Sequence, residues 1–217
     1  MSKQDSGLSF ERVVFFSDAV FAIVITLLVL EIKPPHLDEL SNAKLNYALL
    51  HLLPKVIGFV VSFVIIGLMW IEHHRIFQYI NGYDTGLLWR NLLMLLCVSF
   101  VPFPTALFSE YYWSQTAFVL YTASFALVGL SKFWIWVYAT GKGHLVPDMD
   151  SVQIKRISRR SLAVPLACGV AIGLSFISIR VAPFAFPLIP LFAYLLDPTR
   201  RNAKKRQSDE ASGEESN

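Results

Sequence analysis

Long apolar runs separated by short polar stretches organise this chain. The runs lie at about 13–32, 54–72, 87–108, 116–139, 161–179 and 181–196. A bilayer-spanning helix takes about 20 mostly apolar residues. Within hydrocarbon the backbone must satisfy its own hydrogen bonds, which a helix does and an open strand does not. The period-two alternation of a membrane barrel is absent from these runs. The pattern therefore predicts an all-α membrane protein with six transmembrane helices. The sixth run, VAPFAFPLIPLFAYLL, is short and carries Pro183, Pro187 and Pro190. It is expected to be a kinked or partly broken helix, because proline removes an amide donor. Pro102 and Pro104 are expected to kink the end of the third run. The polar stretch HLDELSNAKLNYALL at 36–50 is expected to hold a short amphipathic helix.

Composition agrees with that reading: 54% of the 217 residues are apolar, 16% are charged, and the mean hydropathy is +0.50. The charge sits between the runs and at the ends. With the amino terminus inside, the inner segments hold fourteen Lys and Arg and the outer ones four. Positive charge accumulates on the cytoplasmic side, so both termini are expected there, in the cell membrane. The net charge of +3 thus reports topology and gives no indication of nucleic acid. Residues 1–198 form one membrane unit, and the first run is a retained span without a cleavage pattern. Residues 199–217, a basic block followed by an acidic, Ser-rich end, are expected to be a disordered tail near the membrane surface. Cys97 and Cys168 sit inside apolar runs and are expected to be small buried hydrophobes. No cofactor is expected. His73 and His74 are adjacent, so on a helix they point about 100° apart and make a poor metal pair.

The first run, RVVFFSDAVFAIVITLLVLEI, holds the candidate chemistry. At about 100° per residue, Phe16, Val20, Ile23, Leu27 and Leu30 share one stripe. Thr26 lies about 60° to one side of Ile23, and Glu31 about 80° to the other. Asp18 falls about 140° from Ile23. The stripe is either a packing or lipid-facing seam, or a surface that surrounds an axis when several copies assemble. An intramembrane acid is costly and normally finds partners in the protein interior. The second run ends in GLMWIEHHRIF, and Trp70, Glu72, His73, His74 and Arg75 stand at the same end as Arg12 and Asp18. Trp70, His73 and a guanidinium are the expected partners of the Asp18 carboxylate. The alternative for the histidines is an ordinary polar helix end. Gly169 and Gly173 form a GxxxG spacing, expected to pack within the bundle.

Arg12, Phe16, Ser17 and Asp18 spell RxxxFSD at the start of the first run, and Trp70, His73 and His74 form WxxHH in the second. With these motifs the chain resembles the transmembrane protein 175 family of potassium channels over almost its whole length, and in particular the prokaryotic members with one six-helix repeat. The resemblance implies a homotetramer whose first helices line a central pore. It implies that Ile23 makes the narrowest point, that Leu27 and Leu30 add apolar layers, and that Thr26 takes part in cation discrimination. Arg12, Phe16, Ser17, Asp18, Trp70, His73 and His74 then form a structural network at the inner end.

The expected function is a modestly selective potassium channel, with K+ as the permeant ion, other monovalent cations weaker, and the lipid bilayer as its surroundings. A helix hides its carbonyls, so the pore does not rebuild a hydration shell. An aliphatic ring lets ions pass by partial dehydration and blocks by dewetting. Glu31 either concentrates cations at the outer mouth or pairs with Lys33. The alternatives are a proton-conducting channel of the same family and a secondary cation transporter, although transporter sites usually lie among broken helices at the midplane. No nucleophile motif, metal triad or nucleotide loop points to an enzyme.

Overall fold

A computed structural model describes residues 3–37, 41–141, 143, 145–146, 149–189 and 191–192. The tail at 199–217 and the end of the sixth run lie outside the described residues. The described residues are all-helical: α1 (Lys3–Leu27), α2 (Asn42–His51), α3 (Leu53–Phe77), α4 (Thr85–Phe100), α5 (Pro102–Glu110), α6 (Gln115–Gly141), α7 (Ser151–Ser161) and α8 (Ala163–Ser175). Short 3-10 segments follow at Leu28–Glu31 and Ala182–Leu188. Among the described residues, five helical stretches are long and apolar enough to cross a membrane.

The boundaries have local causes. Asp84 caps α4 by accepting a bond from the Leu87 amide at 2.8 Å, satisfying one orphan donor of the first turn. The third run breaks at Val101, where Pro102 opens α5, as the proline spacing predicts. From the polar stretch, Asn42–His51 forms α2, with no fully buried residue. The fifth run is longer than expected. A basic amphipathic helix, α7, precedes its apolar part, α8, and the two are tied by Leu162 amide bonds to Arg159 and Arg160 carbonyls. In the sixth run the backbone adopts a 3-10 form over Ala182–Leu188, with Pro183 in its first turn.

The central helix is α6, packed between α4 and α8. Trp136, Phe118, Phe125 and Ile135 on it are fully enclosed. Small residues let α8 come close: Ala163, Ala167, Cys168, Ala171 and Ser175 face inward. A Cβ added at Gly129 of α6 would lie 2.9 Å from Pro165 of α8. Lipid tails are as apolar as leucine, so close packing and internal hydrogen bonds hold such a bundle together. Large apolar residues therefore point outward at no cost, among them Phe100, Leu127 and Leu166. The GxxxG expectation fails for a related reason. Gly169 and Gly173 are on the outer side of α8, with nothing within 4 Å of an added Cβ. The inward face of that helix uses alanines one turn apart instead. Cys97 and Cys168 are free, and Cys168 is buried.

A buried hydroxyl chain adds polar links across the bundle. Thr105 of α5 donates to its own Val101 carbonyl and lies 3.3 Å from the Ser62 hydroxyl of α3, which pairs with Tyr121 of α6 at 3.0 Å. Ion pairs mark the two ends. Lys55 meets Glu110 at one end, and Glu72 meets Arg75 and Arg160 at the other. The segments grouped on the outer side by charge thus share one end of the bundle, and those grouped on the inner side share the other.

Candidate functional site

The first helix has two unlike faces. Ser17, Phe21, Val24 and Leu28 are packed into the subunit, with the last three between 1% and 2% exposed. Phe16, Ile23, Leu27 and Leu30 are 54%, 57%, 41% and 66% exposed. They lie on the side opposite Phe21 and Leu28, as the helical wheel requires. The open surface is wider than the stripe. Phe15, Ala19, Ala22 and Thr26 belong to it, whereas Val20 at the stripe's edge is half-buried. Ile25 packs against the core.

The helix tightens at its carboxy-terminal end. Leu28–Glu31 is a 3-10 turn, in which each residue advances about 120° and residues three apart eclipse. Leu30 therefore stays directly over Leu27. Glu31 is carried away from the stripe, over Leu28, rather than to its flank. The carboxylate lines a cavity of about 580 Å³ with Lys33, Lys55 and Phe59. Among the described residues, Glu31 has no ion-pair partner; Lys33 is near it in the cavity wall but not paired with it. Just before the transition, Thr26 donates its hydroxyl proton to the Ile23 carbonyl at 2.8 Å. That commits the proton and leaves the hydroxyl lone pairs pointing out of the open face.

The amino-terminal half of α1 is held by two separate hydrogen-bond systems. The Trp70 indole donates to Asp18 Oδ1 at 2.8 Å and ties α1 to α3. Arg12 is exposed and makes no ion pair with the described residues. His73 does not bond Asp18. It is fully buried between Phe21 and Phe77, with ring centroids 5.6 and 4.2 Å away. Its partner is Asn91 of α4, whose Oδ1 lies 3.1 Å from His73 Nε2. Ser17 donates to the Val13 carbonyl, so its oxygen accepts from Asn91 Nδ2 at 2.9 Å. The Asn91 oxygen must then accept, and the proton of His73 is on Nε2. One carboxamide thus joins α1, α3 and α4. His74 points elsewhere, to Gln78 at 3.1 Å, and Arg75 is engaged by Glu72 at 3.0 Å.

Asn91 escaped the sequence reading. Its signal was a lone carboxamide in LLWRNLLMLL, since polar side chains inside membrane helices are usually bonded across helices. Lys132 is the second such residue. It is buried on α6, with Glu72 as the opposite charge acting on it. Among the described residues, no group of three His, Cys, Asp or Glu could hold a metal ion.

The family model for the endosomal/lysosomal potassium channel TMEM175 matches residues 12–102, which include most of α1 and all of α3 and α4 with the bonds just described. A Streptomyces collinus protein named as a potassium channel is 37% identical over 83% of this chain and 89% of its own length. The crystal structure of a lysosomal potassium-selective channel TMEM175 homolog from Chamaesiphon minutus has a TM-score of 0.74 to this fold. It is 35% identical and covers 87% of this chain and 98% of that one. A zebrafish protein, from Danio rerio, named as an endosomal/lysosomal proton channel TMEM175, is 24% identical over 95% of this chain, which spans 41% of that protein's length.

Proposed function

The chain belongs to the family of the endosomal/lysosomal potassium channel TMEM175, and on that premise we propose that it is a membrane-embedded potassium channel conducting K+ down its gradient. The observation that carries the reading is the divided first helix. One face is packed into the core, and the other presents Ile23, Leu27 and Leu30 with no partner among the described residues. Four copies around an axis would turn that face into an apolar channel wall.

The mechanism follows from the chemistry of the wall. Ile23 forms the narrowest ring, and four branched side chains leave too little room for a fully hydrated ion. Nothing aliphatic replaces the lost water, so the barrier scales with dehydration. K+ sheds water more readily than Na+, which gives a modest potassium preference without a cage of carbonyls. Thr26, its proton held by the Ile23 carbonyl, offers lone pairs to a passing cation beside the ring. Closure is dewetting of the same ring. Glu31, turned to the Leu28 side beside Lys33 and Lys55, stands off the ion path. Asp18, Ser17, Trp70 and His73 set the rotation of α1 and touch no ion. Both termini face the cytoplasm, and the protein resides in the cell membrane.

The test is flux in proteoliposomes of the purified full chain with a K+ gradient and a voltage-sensitive dye. The expected result is passive, electrogenic K+ movement, with Na+ weaker and no co-solute required. Flux that appears only with a coupled solute would replace the channel by a transporter. Current carried by protons with equal K+ on both sides would move the protein to the proton-conducting alternative.

A further inference from the structure

A second site lies at the inner end of the bundle, away from α1. There, α7, packed against α6, faces the end of α3 across a partly open cavity of about 210 Å³. Three guanidinium side chains line it: Arg75 from α3, and Arg156 and Arg160, one turn apart on α7. Among the described lining residues Glu72 is the one carboxylate, and it bridges Arg75 at 3.0 Å and Arg160 at 3.3 Å. Ile76 and Ile157 supply an apolar wall.

Two features separate this from ordinary cytoplasmic positive charge. The positive-inside bias requires cations only somewhere near the inner ends of the spans. Here α7 sorts its four basic residues into two rows. Arg156 and Arg160 line the cavity, whereas Lys155 and Arg159 do not. Moreover, cations from two different helices converge, with Glu72 pre-positioning two of them. Guanidinium groups held in this way suit phosphate oxygens, which they bind in forked, charge-assisted pairs. The apolar wall and the junction with a spanning helix place the site at the boundary between headgroups and acyl chains. Basic pockets at the inner ends of membrane helices are suited to anionic headgroups.

We propose that the α3–α7 cavity binds the phosphate of an anionic membrane lipid, with Arg75, Arg156 and Arg160 as its ligands. The site bears on the first helix through α3. Trp70 and His73 of that helix hold α1 and α4, while Glu72 between them and Ile76 one turn on line the cavity. The proposal is independent of ion conduction, and its test reads binding.

Native mass spectrometry of the purified full chain, titrated with phosphatidylglycerol or phosphatidylcholine, is the experiment. The wild type is expected to retain phosphatidylglycerol preferentially. R156Q/R160Q should weaken that retention about tenfold, the scale of losing a charge-assisted contact. K155Q/R159Q removes the same charge from the same helix but leaves the cavity lining intact, and should retain the lipid. Should R156Q/R160Q fail to fold, Q153E serves instead. It adds a carboxylate to the lining, leaves the Glu72 pairs in place, and should also weaken retention. Equal loss in K155Q/R159Q would reduce the effect to diffuse surface charge and overturn the site. Undiminished retention in R156Q/R160Q or Q153E would do the same. Displacement of the lipid by inorganic phosphate alone would assign the cavity to a free anion and overturn the lipid reading.

Discussion

α1 and α6 are close in length and both strongly apolar, yet they meet the rest of the molecule differently. Half of the apolar window of α6 is buried within the subunit, against 22% for the span that contains α1. α6 finishes its packing inside one chain. α1 is anchored along one face and left open along the other. The span of α3, joined to α1 by the Asp18–Trp70 bond, is also 22% buried. The chain therefore has a finished side around α6 and an unfinished side around α1 and α3. In lipid, exposed apolar surface is no liability.

The comparison can be broken most forcefully at its finished side. Trp136 is fully enclosed on α6 and donates to the Ser158 hydroxyl at 3.0 Å. Trp136→Ala should cost about 3–5 kcal/mol, the range for a deleted core aromatic. In thermal unfolding of the detergent-solubilised protein, the melting point should fall well below that of the wild type. An unchanged melting point would mean that α6 is not the core.

Next comes the seam between the two sides. Asn91→Ala removes the group that holds both Ser17 and His73. Each stranded group costs about 1–3 kcal/mol. The expected outcome is loss of the assembled species in size-exclusion chromatography, because the rotation of α1 is no longer fixed. A mutant that assembles normally with unchanged thermal stability would show that the Trp70–Asp18 bond suffices.

Smaller still is a pair of glycine substitutions. Gly129→Ala places a methyl 2.9 Å from Pro165 and forces α6 and α8 apart. The expected loss is about 1–3 kcal/mol, as for overpacking. Gly169→Ala meets nothing within 4 Å and should gain up to about 1 kcal/mol from helix propensity. Comparing the two melting curves checks the inside-outside assignment of α8. Destabilisation by Gly169→Ala would mean that another chain lies against that face.

Much of this was legible in the residues themselves. Apolar runs place the spans, Pro102 places the break between α4 and α5, and the 4-3-4-3 spacing of Phe16, Val20, Ile23, Leu27 and Leu30 picks out one side of α1. Proximity along the membrane normal also points to Trp70 as an Asp18 partner. What was not legible depends on packing in three dimensions. Nothing local says that His73 turns to Asn91 rather than Asp18, since that is set by how α3 and α4 rotate against each other. The GxxxG spacing of Gly169 and Gly173 is equally consistent with an inner or an outer face, and the alanines of α8 took the inner one. The 3-10 turn at Leu28–Glu31 has no sequence mark, yet it moves Glu31 from the flank of the stripe to the side of Leu28.

The central claim is that the Ile23 face of α1 surrounds the ion path and that the packed side does not. Reversal potential under bi-ionic K+ and Na+ conditions tests it most directly, with Ile23→Ser compared against Ile25→Ser in reconstituted bilayers. Ile23 is 57% exposed in the subunit, and Ile25 packs against the core. A wetted ring no longer makes Na+ shed as much water. The account therefore predicts larger current and a reversal potential shifted towards zero for Ile23→Ser. Ile25→Ser should lower stability and leave the reversal potential at the wild-type value. A shift in Ile25→Ser with none in Ile23→Ser would contradict the assigned rotation of α1, and the roles of Leu27 and Leu30 would fall with it.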